Sequence, residues 1–208
     1  EEWAFHYMAN VFNHKATKDD FLTFKKINHQ HWEAFQQNKL TKSEVLSERF
    51  VNYFKHHQME VDGHRADVLF RNGLAEAKVK YFDQTLETIV ELSKRHDLYI
   101  VTNGVTETQK RRLNQTPLHK YIKKIFISEE TGYQKPNPEF FNYVFNDIGE
   151  DERQHSIIVG DSLTSDILGG INAGIATCWF NFRGFDHNPG IIPDYEINSW
   201  KQLNDIVR

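Results

Sequence analysis

The chain is poor in sulfur, with one cysteine, Cys178, and two methionines in 208 residues. A single cysteine excludes any intrachain disulfide. No apolar run approaches the roughly 18 to 20 residues needed for a membrane-spanning helix, so a membrane partner is not expected. Positive charge is not in excess: 25 Lys and Arg stand against 29 Asp and Glu, a net charge of -4. Because nucleic-acid binding relies on clustered cations that neutralise phosphates, and none cluster on one element here, no nucleic-acid partner is expected. Glu1-Glu2-Trp3 has neither a basic region nor an apolar signal segment, which points to a cytoplasmic address. Walker loops, G-x-G-x-x-G and serine-nucleophile elbows are also missing.

Aromatic residues are plentiful, 13% of the chain with sixteen Phe. The length suits an ordinary domain plus a smaller one, and two textures divide it accordingly. Residues 1–78 contain no convincing strand. Thr17-x-x-Asp20 and Thr41-x-x-Glu44 have the spacing of capping boxes. Behind them, Phe21, Phe24, Ile27, Trp32 and Phe35, then Val45, Phe50 and Phe54, recur at near-helical spacing. These stripes read as packing surface of an all-helical unit.

From Val79 to Arg208, helices alternate with short β-rich runs. Strands are expected at Leu98 to Val101, Ile125 to Ile127, Ser156 to Val159 and Ala176 to Phe180. Helices are expected from Gln84 to Arg95, from about Glu107, from Pro138 to Ile148, from Ser165 to Ala173 and from Trp200 to Val207. Such alternation, with nearly continuous apolar strands, predicts an α/β fold with a doubly wound parallel sheet covered on both faces. The longest irregular piece runs from Arg183 to Pro193.

Open α/β sheets bind ligands at the carboxyl ends of their strands, and three polar groups fall there. Tyr99-Ile100-Val101 runs into Thr102-Asn103-Gly104, Ile157-Ile158-Val159 runs into Gly160-Asp161, and Lys135 precedes Pro136-Asn137-Pro138. Hydroxyl and N–H groups at Thr102 and Asn103 suit phosphate oxygens. Asp161 and Asp166 flank a hydroxyl-rich turn and suit Mg²⁺, a hard ion held by one or two carboxylates plus substrate phosphate. Plainer readings stand beside each: a turn built by Asn and Gly, a solvated lysine, a strand-ending acid and an acid in the first turn of a helix. The order of the three groups along one rim favours phosphoryl chemistry. His29, His31, His56 and His57 lie in the helical segment without a matching Cys or carboxylate cluster at metal spacing, and read as surface or packing residues. Cys178 reads as a small buried hydrophobe.

Ile100 to Gln109 (IVTNGVTETQ), Ile127 to Pro138 (ISEETGYQKPNP) and Val159 to Trp179 (VGDSLTSDILGGINAGIATCW) resemble the haloacid dehalogenase-like hydrolases, in particular their pyrimidine 5′-nucleotidase branch. Asn28 to Thr41 is similar to the corresponding cap region. The resemblance implies a Rossmann-like core with an inserted helical cap, and a Mg²⁺-dependent phosphomonoesterase acting on a small phosphorylated metabolite, a nucleoside 5′-monophosphate first. It implies that Thr102 is a catalytic, phosphate-binding hydroxyl, and Asn103 a neighbouring backbone donor. Lys135 becomes the catalytic cation that steadies phosphate and nucleophile, Asp161 a metal ligand, and Asp166 a ligand of the metal or its water. The family's nucleophile lies in Asp-x-Asp-x-Thr after an apolar strand, and that string does not occur between Glu1 and Arg208. The strand that carries it is expected upstream of Glu1. Other small phosphomonoesters, such as a sugar phosphate or phosphoglycolate, are the nearest alternative substrates. An inactive phosphate-binding or interaction module is the alternative of a different class. Trp32, Phe35 and the Arg183 to Phe185 loop are candidates for stacking on a base, or for packing.

Overall fold

The structure, a computed structural model, describes residues 1–207, which form two compact units, 1–78 and 79–207. The first is all helical: α1 (Glu2–Val11), α2 (Lys18–Gln36), α3 (Lys42–Lys55) and α4 (Gly63–Glu76). Two of its starts are fixed by short-range chemistry. Thr17 and Thr41 close reciprocal boxes with Asp20 and Glu44, each hydroxyl accepting the N–H of the acid three residues on. Each satisfies two backbone donors that a bare helix end would leave to water.

The apolar stripes meet in one aromatic cluster. Phe5, Phe24, Phe50, Tyr53 and Phe54 are fully buried, with Phe21 and Phe70 packed beside them. Each large apolar side chain withdrawn from water contributes about 1.5–3 kcal/mol before conformational entropy is counted. Trp32 is only half-buried; it meets the Phe35 ring edge-on at 5.7 Å and lies under the Lys42 ammonium at 5.5 Å. A charged knot also sits inside this unit. Asp67 accepts from Arg49 Nη2 at 2.5 Å and from Arg71 Nε at 2.6 Å, while Arg49 Nη1 donates to Asn28.

The second unit alternates as the sequence predicts: α5 (Thr85–Leu92), β1 (Leu98–Thr102), α6 (Thr106–Asn114), β2 (Ile122–Ile127), α7 (Ser128–Thr131), α8 (Pro138–Ile148), β3 (Ile157–Gly160), α9 (Leu168–Ala173), β4 (Ala176–Phe180), β5 (Tyr195–Ile197) and α10 (Leu203–Ile206). Every strand pairing is parallel; β1-β2 and β3-β4 are joined by helical crossovers, as parallel neighbours usually are, while β4 and β5 are joined by the irregular segment 181–194. Among the described residues the ladders form two sheets, β1-β2 and β3-β4-β5, and β1 and β3 are not paired to each other.

Local differences from the sequence reading have physical causes. The helix expected from Gln84 starts one residue later, because Gln84 takes a left-handed conformation (φ 61°). The helix expected from Ser165 begins earlier, as a π-type turn over Leu163–Ile167. There the Ile167 N–H reaches back five residues to the Ser162 carbonyl. The closing helix is split into a 3₁₀ turn, Trp200–Gln202, and α10. Strand β5 was not expected, since three residues carry little periodic signal. It is held by Asp194, whose carboxylate accepts both the N–H and the hydroxyl of buried Thr177 at 2.8 Å.

Candidate active site

The site is built at the carboxyl ends of β1 and β3. Thr102 ends β1, and its hydroxyl accepts the Gly104 N–H at 3.0 Å. That bond draws the chain into a tight turn immediately after the strand. Asn103 turns inward and grips the backbone of Lys135 on both sides. Its Oδ1 accepts the Lys135 N–H at 2.9 Å, and its Nδ2 donates to the Lys135 carbonyl at 2.8 Å. The same amide reaches the Ser165 hydroxyl at 3.4 Å. The side chain of Asn103 is thus the joint between three segments of the unit. Its contribution was missed because an Asn-Gly pair after a strand reads as turn chemistry.

Lys135 is 5% exposed, the opposite of a solvated loop lysine. Its ammonium donates to the Val101 carbonyl at 2.8 Å and to Asp166 Oδ1 at 2.6 Å. An ion pair this deep is tolerated only with near-complete hydrogen bonding of both partners, and Asp166 meets that condition. Its second oxygen accepts the Ser162 N–H at 3.1 Å. Asp166 also presses against the end of β3, where a Cβ on Gly160 would lie 2.3 Å from its carboxyl group. The loop behind Lys135 is seated on α9, where Asn172 donates to the Pro136 carbonyl at 3.1 Å. A Cβ on Gly169 would meet the Phe141 ring at 2.8 Å.

Asp161 occupies the rim. Its backbone carbonyl accepts the indole N–H of buried Trp179 at 3.1 Å, which fixes the turn, while its side chain reaches solvent. Crowding by protein atoms, and then the negative charge of Asp166, push the Asp161 pKa above the ordinary carboxylate value; Arg183 and Lys135 oppose this in part. A carboxylate whose bare anion is disfavoured, open to solvent and backed by a second acid, suits a hard divalent cation. The donor set therefore fits Mg²⁺: Asp161 offers an accessible carboxylate oxygen, and Asp166 has both oxygens already engaged.

Of the residues singled out in the sequence, Asn103, Lys135 and Asp166 are joined by direct hydrogen bonds, Thr102 adjoins Asn103 in the chain, and Asp161 is coupled to Asp166 and Lys135 through charge. The Arg183 loop is tethered by Asn181, which donates to the Phe185 carbonyl and accepts its N–H. Phe185 itself is 52% exposed. Cys178 is fully buried, and its thiol is pushed up to about 11 by that burial, consistent with packing rather than reactivity.

A family model, haloacid dehalogenase-like hydrolase, matches residues 4–180. A protein of Bacillus subtilis designated HAD-hydrolase YfnB is 42% identical over 195 residues, covering 94% of this chain and 83% of that protein. The pyrimidine 5′-nucleotidase YjjG of Escherichia coli is 31% identical over 191 residues, 92% of this chain and 84% of its own length. A crystal structure of YfnB bound to magnesium superposes with a TM-score of 0.94 at 40% identity, covering all of this chain and 90% of the other. With a parallel α/β unit, a helical unit and a rim that carries hydroxyl, ammonium and carboxylates, the chain belongs to the haloacid dehalogenase-like hydrolases.

Proposed function

We propose that the protein is a Mg²⁺-dependent phosphomonoesterase whose substrate is a nucleoside 5′-monophosphate. The observation that carries this reading is the buried Lys135 ammonium, held between the Val101 carbonyl and Asp166 beside the Thr102 turn. A fixed cation and fixed hydrogen-bond donors, aimed where phosphoryl charge develops, lower a barrier without reorganising during the step. In this reading Thr102 and the backbone at Asn103 hold phosphate oxygens, and the Asn103 side chain keeps Lys135 in place. Asp161 ligates Mg²⁺ and Asp166 positions Lys135 and the metal's water. The bound cation supplies neutralisation of phosphate charge. The nucleotide substrate is supported by the likeness to YjjG, and magnesium by the likeness to YfnB.

The attacking group in this reading is a carboxylate on a strand that pairs between β1 and β3, the two edges that are not joined to each other among the described residues. Its oxygen attacks phosphorus while the ester P–O bond breaks, and the departing alkoxide takes a proton from solvent water to leave as the alcohol. Water then hydrolyses the aspartyl-phosphate to inorganic phosphate, which splits one hard step into two. Residues 1–78 serve as the cap in this proposal. The setting is cytoplasmic, with a small soluble metabolite as partner; no helix among the described residues is long and apolar enough to cross a membrane.

The test uses the protein that carries that strand, with phosphate release measured across pyrimidine and purine nucleoside monophosphates, sugar phosphates and phosphoglycolate. Turnover highest on a nucleoside 5′-monophosphate supports the assignment. A preference for phosphoglycolate or a sugar phosphate overturns the substrate while leaving the phosphatase reading intact.

A further inference from the structure

The helical unit holds a second group of donor atoms that none of the phosphoryl chemistry uses. His14 lies in the turn between α1 and α2, just after Asn13 in a left-handed conformation (φ 56°). Asp20 is in the first turn of α2, and His57 follows the end of α3. These three segments bring one nitrogen from each imidazole and one Asp20 oxygen within 4.8 Å of one another. The cluster is invisible in the sequence because its members are contributed by three separate segments, and its carboxylate reads as half of a capping box.

We propose that His14, Asp20 and His57 form a binding site for a borderline divalent transition-metal ion, Zn²⁺ in the first instance. The chemistry is that of two imidazoles and one carboxylate, a donor set suited to zinc and its neighbours rather than to Mg²⁺. The division of labour within Asp20 favours it. Oδ2 accepts the N–H and hydroxyl of Thr17, each at 2.7 Å, while Oδ1 points to His57 Nε2 at 3.3 Å. That separation is already close to the ~3.4 Å between ligand atoms around a tetrahedral zinc. The His14 ring is oriented by the hydrogen bond between its Nε2 and the hydroxyl of buried Tyr53 at 2.8 Å, as outer partners orient metal-bound imidazoles. The two imidazole rings stand 4.4 Å apart at 47°. All three donors are half-buried, so an ion can enter and a water can complete the coordination. Occupancy would tie the α1-α2 turn to the end of α3, and an ion that binds only the folded chain raises its stability by mass action.

The test is a titration of metal-stripped, otherwise intact protein with Co²⁺ and Zn²⁺, in an Asp161→Asn background so that the rim carboxylate does not contribute. Expected are visible d–d absorption saturating at one Co²⁺ per chain, its displacement by Zn²⁺, and a melting temperature raised by Zn²⁺. H57Q and H14Q should each weaken binding about tenfold or more without altering the far-UV circular dichroism. If H14Q fails to fold because Tyr53 loses its partner, H57Q alone decides, since His57 lies beyond the end of α3. Absence of stoichiometric Co²⁺ absorption, or affinity unchanged in H57Q, overturns the site.

Discussion

Lys135 and Asp161 are both charged, yet substitution should have opposite effects on stability. Lys135→Ala leaves Asp166 buried without its cation, and such an unpaired charge costs about 3–5 kcal/mol. Denaturant unfolding should show a loss of that size, and phosphatase turnover should disappear with it. Asp161→Asn should instead stabilise the metal-free protein. Its pKa is raised on folding above the reference value of 3.8 by crowding and by Asp166, so between the unfolded and folded values the native state binds more protons. Stability then falls as pH rises through that window and stays lowered above it. At pH 7 the metal-free variant should melt above the wild type, and the gap should close toward acid pH. A variant that melts lower at pH 7 would show that the ionised carboxylate is not disfavoured there. At this scale the residue types and their order along the rim were legible in the sequence; burial of Lys135 and the grip of Asn103 depend on segments about thirty residues apart.

At the level of elements, two features are sensitive to single atoms. Gly160→Ala places a Cβ 2.3 Å from the Asp166 carboxyl group, so Asp166 has to leave its position and release Lys135. Turnover should fall about tenfold or more, because a 1 Å misplacement near the chemistry already costs on that order or above. A Gly160→Ala protein with wild-type kcat would show that Asp166 does not act through its present contacts. Asp194→Ala removes the acceptor for two groups of buried Thr177, and a loss of about 1–3 kcal/mol is expected in chemical denaturation. Hydrogen exchange should speed up first in β5. Capping boxes were legible because all their information sits within four residues. The π-type turn at Leu163–Ile167 and strand β5 were not, because each depends on a partner far along the chain: Lys135, whose ammonium holds Asp166, in one case, and Thr177, which holds Asp194, in the other.

At the scale of the molecule, each unit carries its own apolar clusters, aromatic in residues 1–78 and spread over the strands and α8 in residues 79–207. The alternation of apolar strands and helices was enough to predict a parallel α/β fold, since such runs fit only strands covered on both faces. That β1 and β3 lie in separate ladders among the described residues is a matter of strand order, which periodicity does not report. The central claim is that the β1 and β3 ends form one metal-assisted phosphoryl site. Its most direct measurement is phosphate release from pyrimidine nucleoside 5′-monophosphates, with and without Mg²⁺, comparing the protein that carries the bridging strand with its Asp161→Asn variant. The expected result is turnover that requires Mg²⁺ and is lost in the variant although the variant remains folded. Undiminished release by Asp161→Asn, or release indifferent to removal of Mg²⁺, would contradict it.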